Sequence, residues 1–177
     1  MAVLDYLHDQ GETLLLIESD TSNPDVFKNY GECVATHLLD LDAAEGWIQL
    51  VNLCESNPDS VVVINTAARN NQGVSTYGAT LNSTLAELKR ELVTLWVINR
   101  QRDSLELLKE YMDAIPEGVV HVLRNAYFGE ENKFELYNAS KIRAAVEARG
   151  GLSLNFPDRV SDDLYCKRLS IAKALKG

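Results

Sequence analysis

The chain has no run of about 18 apolar residues, so no membrane-spanning helix is expected. Its first residues, Met1-Ala2-Val3-Leu4-Asp5-Tyr6-Leu7-His8-Asp9, lack the basic segment of a signal peptide and carry acids instead. Cysteine is too sparse for a disulfide or zinc framework. Cys33, Cys54 and Cys166 are odd in number, far apart and set among apolar residues, the pattern of reduced thiols in a cytoplasmic protein. His8, His37 and His121 share no ligand spacing with them, and no metal ligands are assigned. Positive charge is short as well: 17 Lys+Arg against 26 Asp+Glu leave a net charge of −9. Such a chain repels a phosphate backbone, so direct DNA binding is disfavoured. Lys167, Arg168, Lys173 and Lys176 form a local basic exception near the C-terminus, read as a solvated helix face.

What is present is an ordinary globular composition, 46% hydrophobic and 24% charged over 177 residues, read as one domain spanning 1–177. The organising stretch is Thr13-Leu14-Leu15-Leu16-Ile17-Glu18-Ser19-Asp20, an apolar run too short for a helix that ends abruptly in acids and hydroxyls. That is the signature of a buried parallel strand opening onto a polar crevice. The same grammar recurs where Val61-Val62-Val63-Ile64 meets Asn65, Leu95-Trp96-Val97-Ile98 meets Asn99, and Val119-Val120-His121-Val122-Leu123 meets Arg124-Asn125. Ligands of open α/β sheets gather at such carboxyl ends.

Helical periodicity fits Ala2–Gln10, Ala43–Glu55, Leu81–Leu92, Asp103–Ala114 and roughly Phe134–Arg149. Val34–Leu39 is a weaker strand, and Leu152–Phe156 a last short one. One or two helices are expected after Pro157. Residues 65–78 are polar and contain glycine, and read as the longest loop. Strands alternating with helices of 10–15 residues predict a three-layer α/β fold: a mostly parallel sheet with helices on both faces.

These strand-end segments resemble a known family. Leu-Leu-Leu-Ile-Glu-Ser-Asp-Thr-Ser-Asn-Pro-Asp is similar to the second-strand motif of the ParA/MinD-type ATPases, which ends in Asp-x-Asp. Val-Val-Val-Ile-Asn-Thr-Ala-Ala-Arg resembles their Walker-B strand, and Trp-Val-Ile-Asn-Arg-Gln-Arg-Asp-Ser-Leu a later strand-loop-helix segment. The likeness spans most of the chain and is greatest to StbB/TraL-like plasmid proteins. It implies a P-loop NTPase-like domain using ATP and Mg2+. It also implies nucleotide-dependent homodimerisation and partners in conjugal transfer, mobilisation or partition. On it, Asp20 corresponds to the acid that orients the attacking water and Glu18 to the first acid of the pair. Asn65 corresponds to the Walker-B aspartate, and Asn125, with Asn99 as a weaker candidate, falls near the nucleotide base. Two departures stand out. No Gly-x-x-x-x-Gly-Lys-[Ser/Thr] loop occurs, as if the chain started just after it. Asn65 also replaces an acid, which weakens a magnesium shell. Both imply poor or absent hydrolysis.

Simpler roles compete for the same residues. Asp20 and Asp25 suit a turn in Ser-Asn-Pro-Asp, and Asn65 suits a hydrogen bond to loop backbone. His121 within an apolar run reads as a core histidine. Tyr137-Asn138-Ala139-Ser140-Lys141 matches the Tyr-x-x-x-Lys pattern of short-chain dehydrogenases, but the expected upstream serine and the glycine-rich dinucleotide loop are missing. A solvated helix face explains that pair better. The remaining alternative is a non-catalytic interaction module on the same fold.

Overall fold

The computed structural model describes residues 2–66 and 71–157. Thirteen elements beyond short 3-10 turns follow in order: α1 (Ala2–Asp9), β1 (Leu14–Glu18), α2 (Asp25–Tyr30), β2 (Ala35–Leu38), α3 (Ala44–Ser56), β3 (Val61–Asn65), α4 (Asn71–Glu87), β4 (Val93–Ile98), α5 (Arg102–Ala114), β5 (Val119–Asn125), α6 (Glu135–Asn138), α7 (Lys141–Ala148) and β6 (Ser153–Phe156). Every pairing among these strands is parallel. The chain is therefore α/β, compatible with a three-layer fold, and its described strands pair as two three-stranded sheets, β2-β1-β3 and β4-β5-β6. Two compact units carry them, the second beginning at Val74.

In the first unit, β1, apolar but for its last residue Glu18, is buried along its whole length. Side chains alternate along a strand, so Leu14 and Leu16 point one way, joined by Val61 and Val63. This face packs on Leu4 of α1, on Val26 and Tyr30 of α2, and on Val34. Tyr30 also donates its hydroxyl to Asp5 Oδ2 (2.7 Å), tying α2 to α1. Leu15 and Ile17 point to the opposite face and are equally buried. α3, which connects β2 to β3, buries Trp47, Leu50 and Cys54. Trp47 packs as its pattern predicts and donates Nε1 to Leu41 O at 2.7 Å.

In the second unit, Trp96 and Ile98 of β4 and Val120 and Val122 of β5 meet Leu105, Leu108 and Met112 of α5, together with Phe134, Tyr137 and Val146. Trp96 and Tyr111 stack at 5.1 Å between ring centres. The opposite face of this sheet stays open: Val93 (54% exposed), Leu95, Val97 (56%), Leu152, Leu154 and Phe156 all reach the surface.

Three elements differ from the sequence expectation. The 65–78 segment is not a loop throughout, because α4 begins at Asn71. Val74, Leu81 and Leu85 bury one stripe of that helix. Its glycine is a packing device: a Cβ on Gly73 would meet Leu41 O at 1.8 Å, so only glycine lets the backbone approach. A second difference is a short helix, α2, in the Ser/Asn/Pro segment. Third, the 134–149 region is two helices, α6 and α7, because Ser140 caps α7 by accepting Arg143 N. The helices expected after Pro157, Cys166 and the basic residues at 167–176 lie outside the described residues.

Candidate functional site

The register of the first sheet sets Glu18 opposite Asn65 at the carboxyl tips of β1 and β3. Asn65 Nδ2 donates to Glu18 Oε1 at 2.8 Å, and the Asp20 amide donates to the same oxygen at 3.0 Å. Glu18 is fully buried (0% exposed), and its Oε2 has no hydrogen-bond partner among the described residues. A buried carboxylate oxygen without a donor is costly, so this oxygen can accept a further hydrogen bond. Asn65 can offer its amide but no second negative charge.

Asp20 turns back into its own loop. Its Oδ1 accepts from Ser22 Oγ (2.6 Å) and from Asn23 N (3.1 Å), an Asx-type turn. Asp25 binds Asn23 Nδ2 (2.8 Å) and Lys28 Nζ (3.3 Å) at the start of α2, the turn-forming role expected of it. Sequence distance hid one of these relations: Glu18 and Asn65 lie 47 residues apart, yet they meet because β1 and β3 are neighbours.

Asn99 and Asn125 belong to the second unit, at the tips of β4 and β5. Each is engaged with its own backbone. Asn99 Oδ1 accepts Gln101 N at 2.8 Å, and Asn125 Oδ1 accepts Tyr127 N at 3.1 Å to cap a 3-10 turn. The dominant group here is Arg124, which the sequence presented only as part of a polar tip. Arg124 is 1% exposed. It donates Nε to Asn138 Oδ1 (3.2 Å) and Nη1 to Asn155 Oδ1 (3.1 Å), pairs Nη2 with Glu131 Oε1 (3.2 Å), and stacks over Tyr137 at 5.5 Å. Asn155 Nδ2 closes the ring onto Glu131 Oε2 (3.1 Å). The Asn155 bond, aided by the Arg124 charge, holds the Glu131 carboxyl below its ordinary range. A buried arginine so fully partnered is an internal anchor. Its sequence signal is the alternation of β5, which aims residue 124 inward with Val120 and Val122.

The dehydrogenase pattern is not assembled. Tyr137 is buried, shares a 2.7 Å hydrogen bond with Ser153 Oγ, and burial pushes its phenol above the usual 10. Proton exchange with a carbonyl needs the opposite shift. Lys141 opens a different helix, so the two residues do not stack one turn apart. His121 accepts the Leu152 amide at Nδ1 (3.0 Å), a satisfied structural histidine.

Among the described residues no three His, Cys, Asp or Glu side chains stand close enough to hold a metal ion, and no described helix is long and apolar enough to cross a membrane. The β1/β3 tip is rich in acceptors. A triphosphate needs amides and a lysine that the Gly-Lys loop motif, absent from the sequence, would supply. The described residues therefore do not by themselves form an Mg-ATP site.

A protein named MobD from Acidithiobacillus ferrooxidans is 74% identical over 179 residues, an overlap taking in 99% of this chain and 79% of MobD. No family model matches the chain, and no solved structure matches it.

Proposed function

The chain belongs to the MobD family, and from that premise we propose that it acts in plasmid mobilisation as a ParA/MinD-like nucleotide-switch domain that by itself hydrolyses ATP weakly or not at all. The family name supports the mobilisation half of this reading. The Glu18–Asn65 contact at 2.8 Å carries the other half. Two strand-end motifs that resemble the ParA/MinD pair, distant in sequence, stand side by side on adjacent parallel strands. In this reading Asp20 positions water at the tip, Glu18 is its buried anchor, and Asn65 occupies the Walker-B place. Asn99 and Asn125 border the base-binding rim. A homodimer and transfer or partition proteins are the partners the reading implies.

Calorimetric titration with Mg-ATP, and separately with NADPH, tests it. The expected result is weak heat with Mg-ATP and none with NADPH. NADPH binding that is lost in Tyr137→Phe overturns the reading. A second reading, a non-catalytic interaction module, is favoured by the open apolar face at Val93, Leu95, Val97 and Leu154. It predicts no heat with either nucleotide.

A further inference from the structure

We propose that the aromatic pair Tyr127 and Phe128, just past the carboxyl tip of β5, docks an arginine-bearing basic segment of a partner protein. The inference does not depend on nucleotide binding. Large apolar side chains left in water forgo the stabilisation that burial gives, and where they cluster they mark a contact surface. Tyr127 is 73% exposed and Phe128 42%. Their rings meet edge to face, 5.3 Å between centres and 89° between planes. So exposed, the Tyr127 ring offers a face to a cation.

The segment that presents the pair is tied down on both sides. Asn125 Oδ1 accepts Tyr127 N (3.1 Å) and Ala126 O accepts Gly129 N (3.0 Å), which closes the 3-10 turn Ala126–Phe128. Gly129 then redirects the chain at a φ of 122°, in the left-handed region that favours glycine. Downstream, Phe134 is buried in the core of the second unit. Glu131 is held by the buried Arg124 (3.2 Å) and by Asn155 (3.1 Å). Rigid aromatics presented at little entropic cost are the material of binding hot spots.

Charge selects the occupant. Between Ala126 and Ser140 the chain carries Glu130, Glu131 and Glu135 against Lys133, and all four are exposed. An arginine suits this mixture: its planar guanidinium stacks on a ring while its N–H groups pair with the neighbouring carboxylates. A second copy of this chain is the poorer candidate, because each copy brings a net charge of −9 and the same acids. A phosphate backbone is repelled for the same reason.

Fluorescence anisotropy with the whole chain and a labelled peptide of alternating arginine and glycine tests the proposal, in the absence of nucleotide. Tyr127→Ala should weaken binding about three- to fivefold, whereas Tyr127→Phe, which keeps the ring face, should bind as the parent does. Glu130→Gln combined with Glu135→Gln should weaken it about threefold. The same charge change on α5, Glu106→Gln with Glu110→Gln, should leave it unaltered. A lysine version of the peptide should bind more weakly than the arginine one. Affinity that follows total charge alone, so that the α5 variant loses as much as the Glu130 and Glu135 variant, overturns the proposal. So does equal binding of Tyr127→Ala and the parent. Two further measurements guard against other occupants. Zero-length carbodiimide coupling of Glu130 or Glu135 to the chain's own Lys167, Lys173 or Lys176 would show the patch already filled from within, and overturns the proposal. If Mg-ATP heat present in the parent vanishes in Tyr127→Ala, the ring serves the nucleotide base, and the proposal falls. Absence of Mg-ATP heat in the parent counts against the nucleotide-switch reading and leaves the peptide result to decide this one.

Discussion

Glu18 illustrates how much one side chain can carry in a strand that is otherwise all hydrocarbon. Its Oε1 satisfies two donors, the Asp20 amide and Asn65 Nδ2, inside a fully buried position. Glu18→Ala leaves both donors orphaned and opens a void, and should cost about 2–4 kcal/mol in urea unfolding. Glu18→Gln keeps an accepting oxygen for both donors and removes a buried charge, so it should lie within about 1 kcal/mol of the parent. A severe loss in Glu18→Gln would mean that the charge itself is paired. In the second unit, Glu131 gives a pH signature. Its folded pKa is lowered, first by the Asn155 hydrogen bond and then by Arg124. It therefore contributes stability that is fully present above the ordinary value of 4.5 and is lost as pH falls through the lower folded value. The unfolding midpoint of the parent should exceed that of Glu131→Gln at pH 6, and the gap should close on acidification below 4.5. A gap independent of pH would exclude this role. Arg124 itself was illegible as an anchor in the sequence, because its partners Glu131, Asn138 and Asn155 converge only through the packing of β5, α6 and β6.

At the scale of elements, strands were the more legible half of the fold. Runs such as Leu14–Ile17 and Val61–Ile64 have one reading, and their polar ends mark where they stop. Helix ends were harder, and α4 shows why at both of its termini. Its start is disguised by glycine and polar residues that read as loop until Gly73 is seen against the Leu41 carbonyl. Its end lacks the usual glycine signal, so the leucine period runs on to Leu92. The helix instead closes at Lys89, whose φ of 55° is left-handed, with Arg90 N returning to Leu85 O at 2.8 Å. That is a Schellman-type close normally made by glycine. Lys89→Gly should therefore stabilise the protein by about 0.5–1 kcal/mol, read from thermal unfolding. A loss of stability would show that the lysine side chain does something the backbone does not. The break between α6 and α7 was hidden for a related reason, since the Ser140 cap interrupts a helical period without any proline or glycine.

For the whole molecule, composition was informative about class and charge, and pattern about the parallel α/β order. Neither predicts which strands become neighbours. The contact of Glu18 with Asn65 follows from β3 lying beside β1, a fact of topology with no local signal. The relation to MobD then gives the tip a biological setting. Asp20 is the residue whose charge the proposed role needs and whose turn can survive without it: Asp20→Asn keeps an oxygen for Ser22 and Asn23. The most direct measurement is the mobilisation frequency of a plasmid encoding this chain, comparing the parent, a deletion and Asp20→Asn at equal protein abundance. The deletion should abolish transfer, and Asp20→Asn should lower it at least about tenfold, the effect of losing roughly 1.4 kcal/mol at a rate-setting step. Transfer at the parental frequency in the deletion would contradict a role in mobilisation, and full transfer in Asp20→Asn would contradict a nucleotide-linked one.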